Sequence, residues 1–155
     1  MSNEEPKVDF FELGDKTSLI CADELTCESV RLSLRELKYK FHIAETGEMA
    51  IDRMRYTLYN LIVIQEDFAG SSLRSNVVLN YLASLSMAHR RNSFVCLIGE
   101  SFKTLDAMQA FAHSVHLVVN PGDLANFTAV VRKGLAEFQA LYRIYNETLT
   151  AHGSQ

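Results

Sequence analysis

Five short apolar segments recur along the chain, and the stretches between them have helical spacing. The apolar segments are residues 18–21, 40–43, 61–64, 94–98 and 116–119. Three of them are apolar nearly throughout, which is typical of parallel strands that are buried on both faces of a sheet. The segment at 41–43 alternates instead, which indicates a more exposed position in the sheet.

Between these segments, apolar residues recur every three or four positions, as on one face of a helix. The four sets are Cys27, Val30, Leu34 and Leu37; Ala50, Met54 and Leu58; Val78, Tyr81, Leu85 and Ala88; and Leu105, Met108, Ala112 and Val115. Asp23, Thr46 and Thr104 precede three of the sets and are predicted N-caps, because their side-chain oxygens accept hydrogen bonds from backbone N–H groups. This alternation predicts an α/β fold with a doubly wound, five-stranded parallel sheet.

The last predicted helix is unusually long. From residue 123 to about 149 the sequence has no proline and a single glycine, Gly134. About 27 residues of helix span roughly 40 Å, which is more than the width of a small domain. We therefore predict an N-terminal extension at 1–16, a domain at 17–134, an extension of the last helix at 135–150 and a tail at 151–155. Apolar residues of the N-terminal extension that we expect to pack on the domain are Val8, Phe10, Phe11 and Leu13.

Composition narrows the function classes. The 155 residues are enough for one domain with its own core, and 48% hydrophobic with 22% charged residues excludes wholesale disorder. The net charge of −4, without a basic block, argues against nucleic acid as the main partner. No apolar run approaches the roughly 20 residues of a membrane span, so we expect no membrane insertion. The acidic N-terminus lacks the pattern of a signal peptide, which predicts a cytoplasmic protein.

The cysteines and histidines give no sign of a metal site or a disulfide. Cys21, Cys27 and Cys96 have no CxxC spacing and lie in apolar stretches, so we interpret them as small core residues. His113 and His116 are three residues apart, but they flank a predicted junction between helix and strand rather than sharing a helix face. We expect no metal and no cofactor.

Three segments resemble the receiver domain of two-component response regulators. Residues 40–50, KFHIAETGEMA, are similar to the family's second strand and second helix, and residues 59–65, YNLIVIQ, are similar to its third strand. Residues 120–124, NPGDL, resemble the turn into its last helix. The resemblance covers about residues 17–135 and implies a flavodoxin-like fold, here with an extended C-terminal helix.

The resemblance implies five phosphorylation-site positions, and at most of them the residue type that the family uses is replaced. The family's first strand ends in two acidic residues that hold Mg²⁺, and these positions read Ala22 and Asp23. The phosphoacceptor aspartate is replaced by Gln65, whose amide has no anionic oxygen to attack phosphorus. The hydroxyl residue that contacts the phosphoryl group is replaced by Gly99, and the lysine that pairs with it by Asn120. Only Asp23 keeps the family's residue type.

These replacements predict a pseudo-receiver that signals through protein–protein contact without phosphorylation and is not an enzyme. Phosphoryl transfer needs metal and cationic groups that stabilise charge on the transferring oxygens. Two alternatives stay open. One is a receiver phosphorylated at Asp67 or Glu66: Asp67 shares the direction of Gln65 if the strand continues, whereas Glu66 should face away. The other is a sensor that binds a small ligand in the pocket left by the replaced residues.

The resemblance also implies a partner or dimer surface on the fourth helix, fifth strand and fifth helix. The residues predicted for this surface are Phe102, Met108, Phe111, Leu117, Phe127, Val131, Phe138, Leu141 and Tyr145. Leu117 stands where the family has a switch aromatic, which fits the loss of a phosphorylation-driven switch. Because the apolar residues after Leu135 would be exposed in a monomer, we predict a homodimer through the last helix. The alternative is that the helix bends back, or that the N-terminal segment covers it.

Overall fold

Five parallel strands form the centre of the structure. The computed structural model describes residues 10–71, 75–85 and 92–153, with no side-chain description at 142 or after 144. The strands are β1 (Thr17–Cys21), β2 (Lys40–Ile43), β3 (Leu61–Gln65), β4 (Phe94–Ile98) and β5 (Leu117–Val119). Each overlaps one of the predicted apolar segments, so the strand predictions are confirmed.

Helices connect the strands and cover both faces of the sheet. Within the described ranges they are α1 (Glu24–Glu36), α2 (Gly47–Tyr56), α3 (Val77–Ser84), α4 (Ala107–Ala112) and α5 (Phe127–Gly153). Two 3-10 turns, Phe68–Gly70 and Pro121–Asn126, follow β3 and β5. The strand order is β2-β1-β3-β4-β5 and all four strand pairs are parallel, so the doubly wound architecture is confirmed.

Alternate residues of each strand enter two separate cores. Leu61, Val63 and Ile98 face the core that packs against α1 and α5. Ile62, Ile64 and other residues of the opposite parity face the core that packs against α2, α3 and α4. Strand side chains alternate between the two faces of a sheet, so parity assigns each strand residue to one core. This rule also orients the side chains just beyond the strands.

Two of the three predicted N-caps are confirmed, and the third is wrong. The side chains of Asp23 and Thr46 accept hydrogen bonds from the backbone N–H groups of the first helical turns. Thr104 does not cap α4; that role belongs to Asp106, which accepts from the Gln109 N–H at 3.0 Å. The reason is Leu105, whose φ of 70° is left-handed and therefore keeps the helix from starting earlier.

The predicted helix faces are correct for α1 and only partly correct elsewhere. Cys27, Val30 and Leu34 are buried on α1 as expected, with Leu37 packed beside them. Leu58 is exposed because α2 already ends at Tyr56, and Ala88 lies outside the described residues. On α4 the prediction fails. Met108 is 76% exposed and Ala112 is exposed, while the buried residue of this helix is Ala110.

The described part of the N-terminal extension contacts the domain through the Phe11 ring and through polar contacts with Lys40, which forms an ion pair with Asp15 at 3.0 Å. Phe11 stacks on the buried His42, with ring centroids 4.1 Å apart, and packs against the core on the α2 side. Phe10 and Leu13, which were expected to pack as well, are exposed instead, and Val8 lies outside the described residues. Among the described residues of this segment, Phe11 is therefore the one whose side chain packs on the core.

Helix α5 is as long as predicted, although its bounds differ. It begins at Phe127, after a 3-10 turn, and continues for 27 residues to Gly153, beyond the expected tail boundary at 150. Gly134 lies against the sheet: a Cβ there would approach Phe94 Cζ to 3.1 Å. Phe138, one turn later, still contacts the ring of Phe94 at the start of β4. The helix therefore continues past the amino ends of the strands, opposite to the predicted site.

Cys21, Cys27 and Cys96 are free and buried, which confirms them as core residues. Burial raises the pKa of the Cys27 thiol to about 11. A thiol with such a pKa stays protonated at neutral pH and is a weak nucleophile. Among the helices that the structure describes, none combines the length and the apolar character needed to cross a membrane.

Candidate functional site

The five predicted positions come together at the carboxyl edge of the sheet. Ala22 follows β1, Gln65 ends β3, Gly99 follows β4 and Asn120 follows β5, while Asp23 caps α1. Parallel strands end at the same edge, which is where doubly wound folds carry their sites. The parity of the strands divides these residues between the two faces of the sheet, and the two halves have different chemistry.

Gln65 and Asp23 bind each other on the α1 side. Gln65 Oε1 accepts a hydrogen bond from the Asp23 backbone N–H at 2.7 Å. Gln65 Nε2 donates to Asp23 Oδ2 at 3.0 Å, while Asp23 Oδ1 accepts from the Thr26 N–H at 2.8 Å. Both functional atoms of the Gln65 amide and both oxygens of the carboxylate therefore have partners within the chain. The Thr26 N–H, and after it the Gln65 amide, hold the pKa of Asp23 below its usual range.

These residues do not fit the Mg²⁺ that the fold family implies. Mg²⁺ favours carboxylate oxygens in a near-octahedral arrangement, and Ala22 supplies none. Among the five family positions Asp23 is the one carboxylate, and both of its oxygens already accept hydrogen bonds. Among the residues that the structure describes, no three His, Cys, Asp or Glu side chains form a metal-binding group.

Glu66 occupies the other half of the site, above Gly99. Its side chain points to the opposite face of the sheet from Gln65, as the alternation along the strand predicts. On that face it lies over the end of the neighbouring strand, β4. A Cβ added to Gly99 would overlap the carboxylate of Glu66. That carboxylate accepts hydrogen bonds from Ser101 Oγ at 2.9 Å and from the Ser101 N–H at 3.4 Å. The carboxylate of Glu66, which directly follows β3, thus lies where the family's hydroxyl residue stands.

Asp67 lies beyond the end of the strand that carries Gln65. Strand β3 ends at Gln65, and Asp67 precedes the 3-10 turn with φ of −104° and ψ of 31°, which is not an extended conformation. The Asp67 side chain is exposed and makes no capping hydrogen bond to the turn. The condition under which it would point into the site, a longer strand, is not met.

Asn120 binds the loop between β4 and α4 rather than extending over the site. Its Nδ2 donates to the carbonyl oxygens of Phe102 at 2.8 Å and Glu100 at 3.3 Å, and its Oδ1 accepts from the Gly122 N–H at 2.9 Å. Its backbone N–H donates to Thr104 Oγ1 at 2.8 Å. An amide has both donors and an acceptor, so Asn120 can bond to carbonyl and N–H groups at the same time. A lysine has donors only and could not accept a hydrogen bond from the Gly122 N–H.

Asn76 is a site residue that the sequence reasoning missed. It is 1% exposed, caps α3 and donates from Nδ2 to the carbonyl oxygens of Gln65 at 3.1 Å and Glu66 at 3.2 Å. Asn76 therefore connects the start of α3 to the end of β3 through two hydrogen bonds. The available signal was an asparagine directly before an apolar helical segment, which is typical of an N-cap.

The structure corrects the predicted partner surface at four positions. Residues that are buried in the two cores, and so are absent from any surface, are Phe102, Leu117, Phe127 and Val131. Each packs toward the sheet from its own element, or from the sheet itself. Apolar character at those positions is explained by the core alone.

The remaining predicted surface residues lie on α4 and α5. Met108, Phe111 and Leu141 are exposed, Phe138 is half-buried, and the side chain of Tyr145 lies outside the described residues. A groove of about 240 Å³ runs between α4, β5 and α5 and is lined by Leu105, His116 and Phe138, among others. The α4–α5 side thus presents apolar groups to solvent.

No family model matches the chain, and no curated protein matches it. Solved structures do resemble its fold. A CheY-like response regulator receiver domain from Methylobacillus flagellatus has a TM-score of 0.57 and 16% identity, over 78% of this chain and 99% of that domain. A response regulator from Thermotoga maritima has a TM-score of 0.59 and 12% identity, over 79% and 98%. NtrX from Brucella abortus has a TM-score of 0.64 and 15% identity, over 91% of this chain and 30% of NtrX.

This likeness shows a shared fold. The chain has the flavodoxin-like fold of receiver domains, as the sequence predicted, with its last helix extended well past the sheet. At such low identities the chemistry of the site has to be argued from the residues of this chain.

Proposed function

We propose that this protein is a pseudo-receiver: a signalling module that acts through protein–protein contact and does not depend on phosphorylation. The observation that carries the proposal is the pair formed by Gln65 and Asp23. The residue at the acceptor position has no anionic oxygen, and its amide is hydrogen-bonded to the carboxylate of Asp23. The groups that would receive phosphate and metal instead stabilise each other.

The rest of the site supports this interpretation. Asn120, which replaces the lysine, is hydrogen-bonded to the β4–α4 loop. Gly99, which replaces the hydroxyl residue, lies beneath the Glu66 carboxylate. No positive side chain among these positions is available to stabilise a transferring phosphoryl group. We therefore infer that the module is not an enzyme and needs no cofactor.

Both alternatives have less support. Asp67 is exposed outside the site, and phosphate on Glu66 would displace the bonds to Ser101 without gaining a metal or a lysine. A small polar ligand would have to compete with the hydrogen bonds that Gln65 and Asn120 already make. A pocket whose polar groups are satisfied internally offers little to such a ligand.

We further propose that α5 forms a homodimer and that the exposed part of α4 contributes to partner binding. Leu141 and Ile144 lie on the part of α5 beyond the sheet, and both are mostly exposed. Two-fold dimers are the commonest soluble assembly, and a helix with apolar residues at three- and four-residue spacing suits packing against a second helix. The proposed cytoplasmic location fits the three free, buried cysteines, and the net charge of −4 argues against a nucleic-acid partner.

The experiment that tests the proposal compares amide NMR spectra with and without beryllofluoride or acetyl phosphate in the presence of Mg²⁺. We expect no change, for the natural chain and for Gln65→Asp, because one carboxylate does not restore the missing lysine and hydroxyl. A receiver domain with all of these residues intact serves as the positive control. Shifts centred on Asp23, residue 65 and Asn120 in the natural chain would refute the pseudo-receiver proposal.

A further inference from the structure

Glu66 and Gly99 are neighbours because of the register of the sheet. Gln65 of β3 pairs with Ile98 of β4, so Glu66 and Gly99 are the next residues along the two strands. The Glu66 N–H donates to the Ile98 carbonyl at 2.8 Å, which continues the pairing of the strands. By parity both positions face the α2, α3 and α4 side of the sheet. The Glu66 side chain therefore extends directly over the Cα of Gly99.

The Glu66 carboxylate lies over Gly99 and binds the next loop. The space exists because Gly99 has no Cβ, which would overlap Glu66 Oε1. Ser101, two residues further, donates its hydroxyl to Glu66 Oε2 at 2.9 Å and its N–H to Oε1 at 3.4 Å. Hydrogen bonds to an ionised acceptor are stronger than bonds between neutral groups. This anion therefore binds the first turn of the β4–α4 loop.

The same loop is connected to α4. Gln109 of α4 donates from Nε2 to the Ser101 carbonyl at 3.3 Å and accepts from the Lys103 N–H at 2.7 Å. Further along, the Leu105 N–H donates to the Val118 carbonyl of β5 at 3.0 Å. Gln109 thus connects the loop at Ser101 to the helix that exposes Met108 and Phe111 at its surface.

We propose that Glu66 is a resident anion that positions the β4–α4 loop, and through it α4, in a single arrangement. It does so with a carboxylate of the chain itself, where a receiver would bind a phosphoryl group from outside. This inference rests on the proposed function and deepens it, because it names the group that makes phosphorylation unnecessary. Glu66 is a positioning residue, Ser101 donates hydrogen bonds to its carboxylate, and Gly99 provides the space.

Hydrogen exchange on the full chain tests the proposal. Glu66→Ala removes the anion, and Gly99→Ala displaces it by steric overlap while leaving the carboxylate in the sequence. We expect both variants to speed exchange of the Phe102 and Leu105 amides by about tenfold, since each loses a charge-assisted contact. Asp67→Ala is the matched control, because it removes a neighbouring exposed acid that makes no side-chain capping hydrogen bond to the turn; we expect no change there.

The double variant Glu66→Ala/Gly99→Ala gives a more decisive test than either single variant. Once Glu66 is alanine, the methyl group at position 99 displaces nothing, so the two substitutions together should act like either one alone. Additive effects, or unchanged exchange in both single variants, would overturn the proposal. Ser101→Ala, which removes only the hydroxyl, provides the same measurement if Glu66→Ala fails to fold. The beryllofluoride experiment is independent: a response there refutes the proposed function, whereas the exchange pattern reports on Glu66 alone.

Discussion

Substituting Leu141 with glutamate tests the proposed dimer interface without disturbing the domain. Leu141 is 68% exposed and lies one turn beyond Phe138, whose ring still contacts the sheet. Its substitution therefore removes no core packing. Leu32 on α1 is 69% exposed and provides a matched control, because Leu32→Glu makes the same chemical change on another helix.

The expected effect follows from the area that dimerisation would bury. Complete burial of a leucine side chain contributes about 1.5–3 kcal/mol, so the exposed two-thirds of Leu141 contributes about 1–2 kcal/mol in each protomer. The two protomers together lose about 2–4 kcal/mol of binding free energy, which raises the dissociation constant of the dimer by about 30- to 900-fold. Desolvation of the glutamate adds to this loss.

Sedimentation or light scattering over a range of concentrations measures the result. We expect the natural chain and Leu32→Glu to be dimers at tens of micromolar, and Leu141→Glu to be a monomer at the same concentration. A monomeric natural chain would refute the dimer itself. Equal masses for the two glutamate variants would show that the interface lies elsewhere than on the α5 extension.

Two further predictions concern the core and the acid response. Leu97→Ala should lower the free energy of unfolding by about 2–5 kcal/mol, because Leu97 is fully buried in β4, and an unchanged denaturant midpoint would contradict that strand assignment. Hydrogen bonds from Thr26 and Gln65 lower the pKa of Asp23 in the folded state. Its stabilisation is therefore complete above the unfolded pKa of about 3.9 and is lost as the pH falls through the lower folded value. Asp23→Asn, which still caps a helix, should flatten the fall in stability at acid pH; parallel curves for the two proteins would rule this out.

The strands were predictable because a buried strand needs consecutive apolar residues, and few other elements do. Residues 61–64 and 94–98 are such segments, and both are central strands of the sheet. Helix α1 was equally clear, since Asp23 caps it and a regular apolar face follows. These features depend on local sequence, which is why the topology could be argued before any contact was known.

Helix α4 was harder to predict, for a reason that is also local. Leu105 begins an apolar spacing that looks helical, yet its backbone is left-handed and Asp106 starts the helix instead. A six-residue helix leaves too few positions for periodicity to show which face is buried. Four apolar residues assigned to the surface are in fact core, because hydrophobicity does not distinguish a residue that packs inward from one that binds a partner.

At the site, the missing chemistry follows from the residue types alone. Gln65, Gly99 and Asn120 lack an anionic oxygen, a hydroxyl and a positive charge whatever the fold. Which groups lie in place of the missing ones depends on how the strands pair. Glu66 and Ser101 are 35 residues apart in the chain, and they meet because β3 and β4 pair in a register that places Glu66 above a glycine. Strand pairing is a long-range property, and a shift of one residue would turn Glu66 to the opposite face of the sheet.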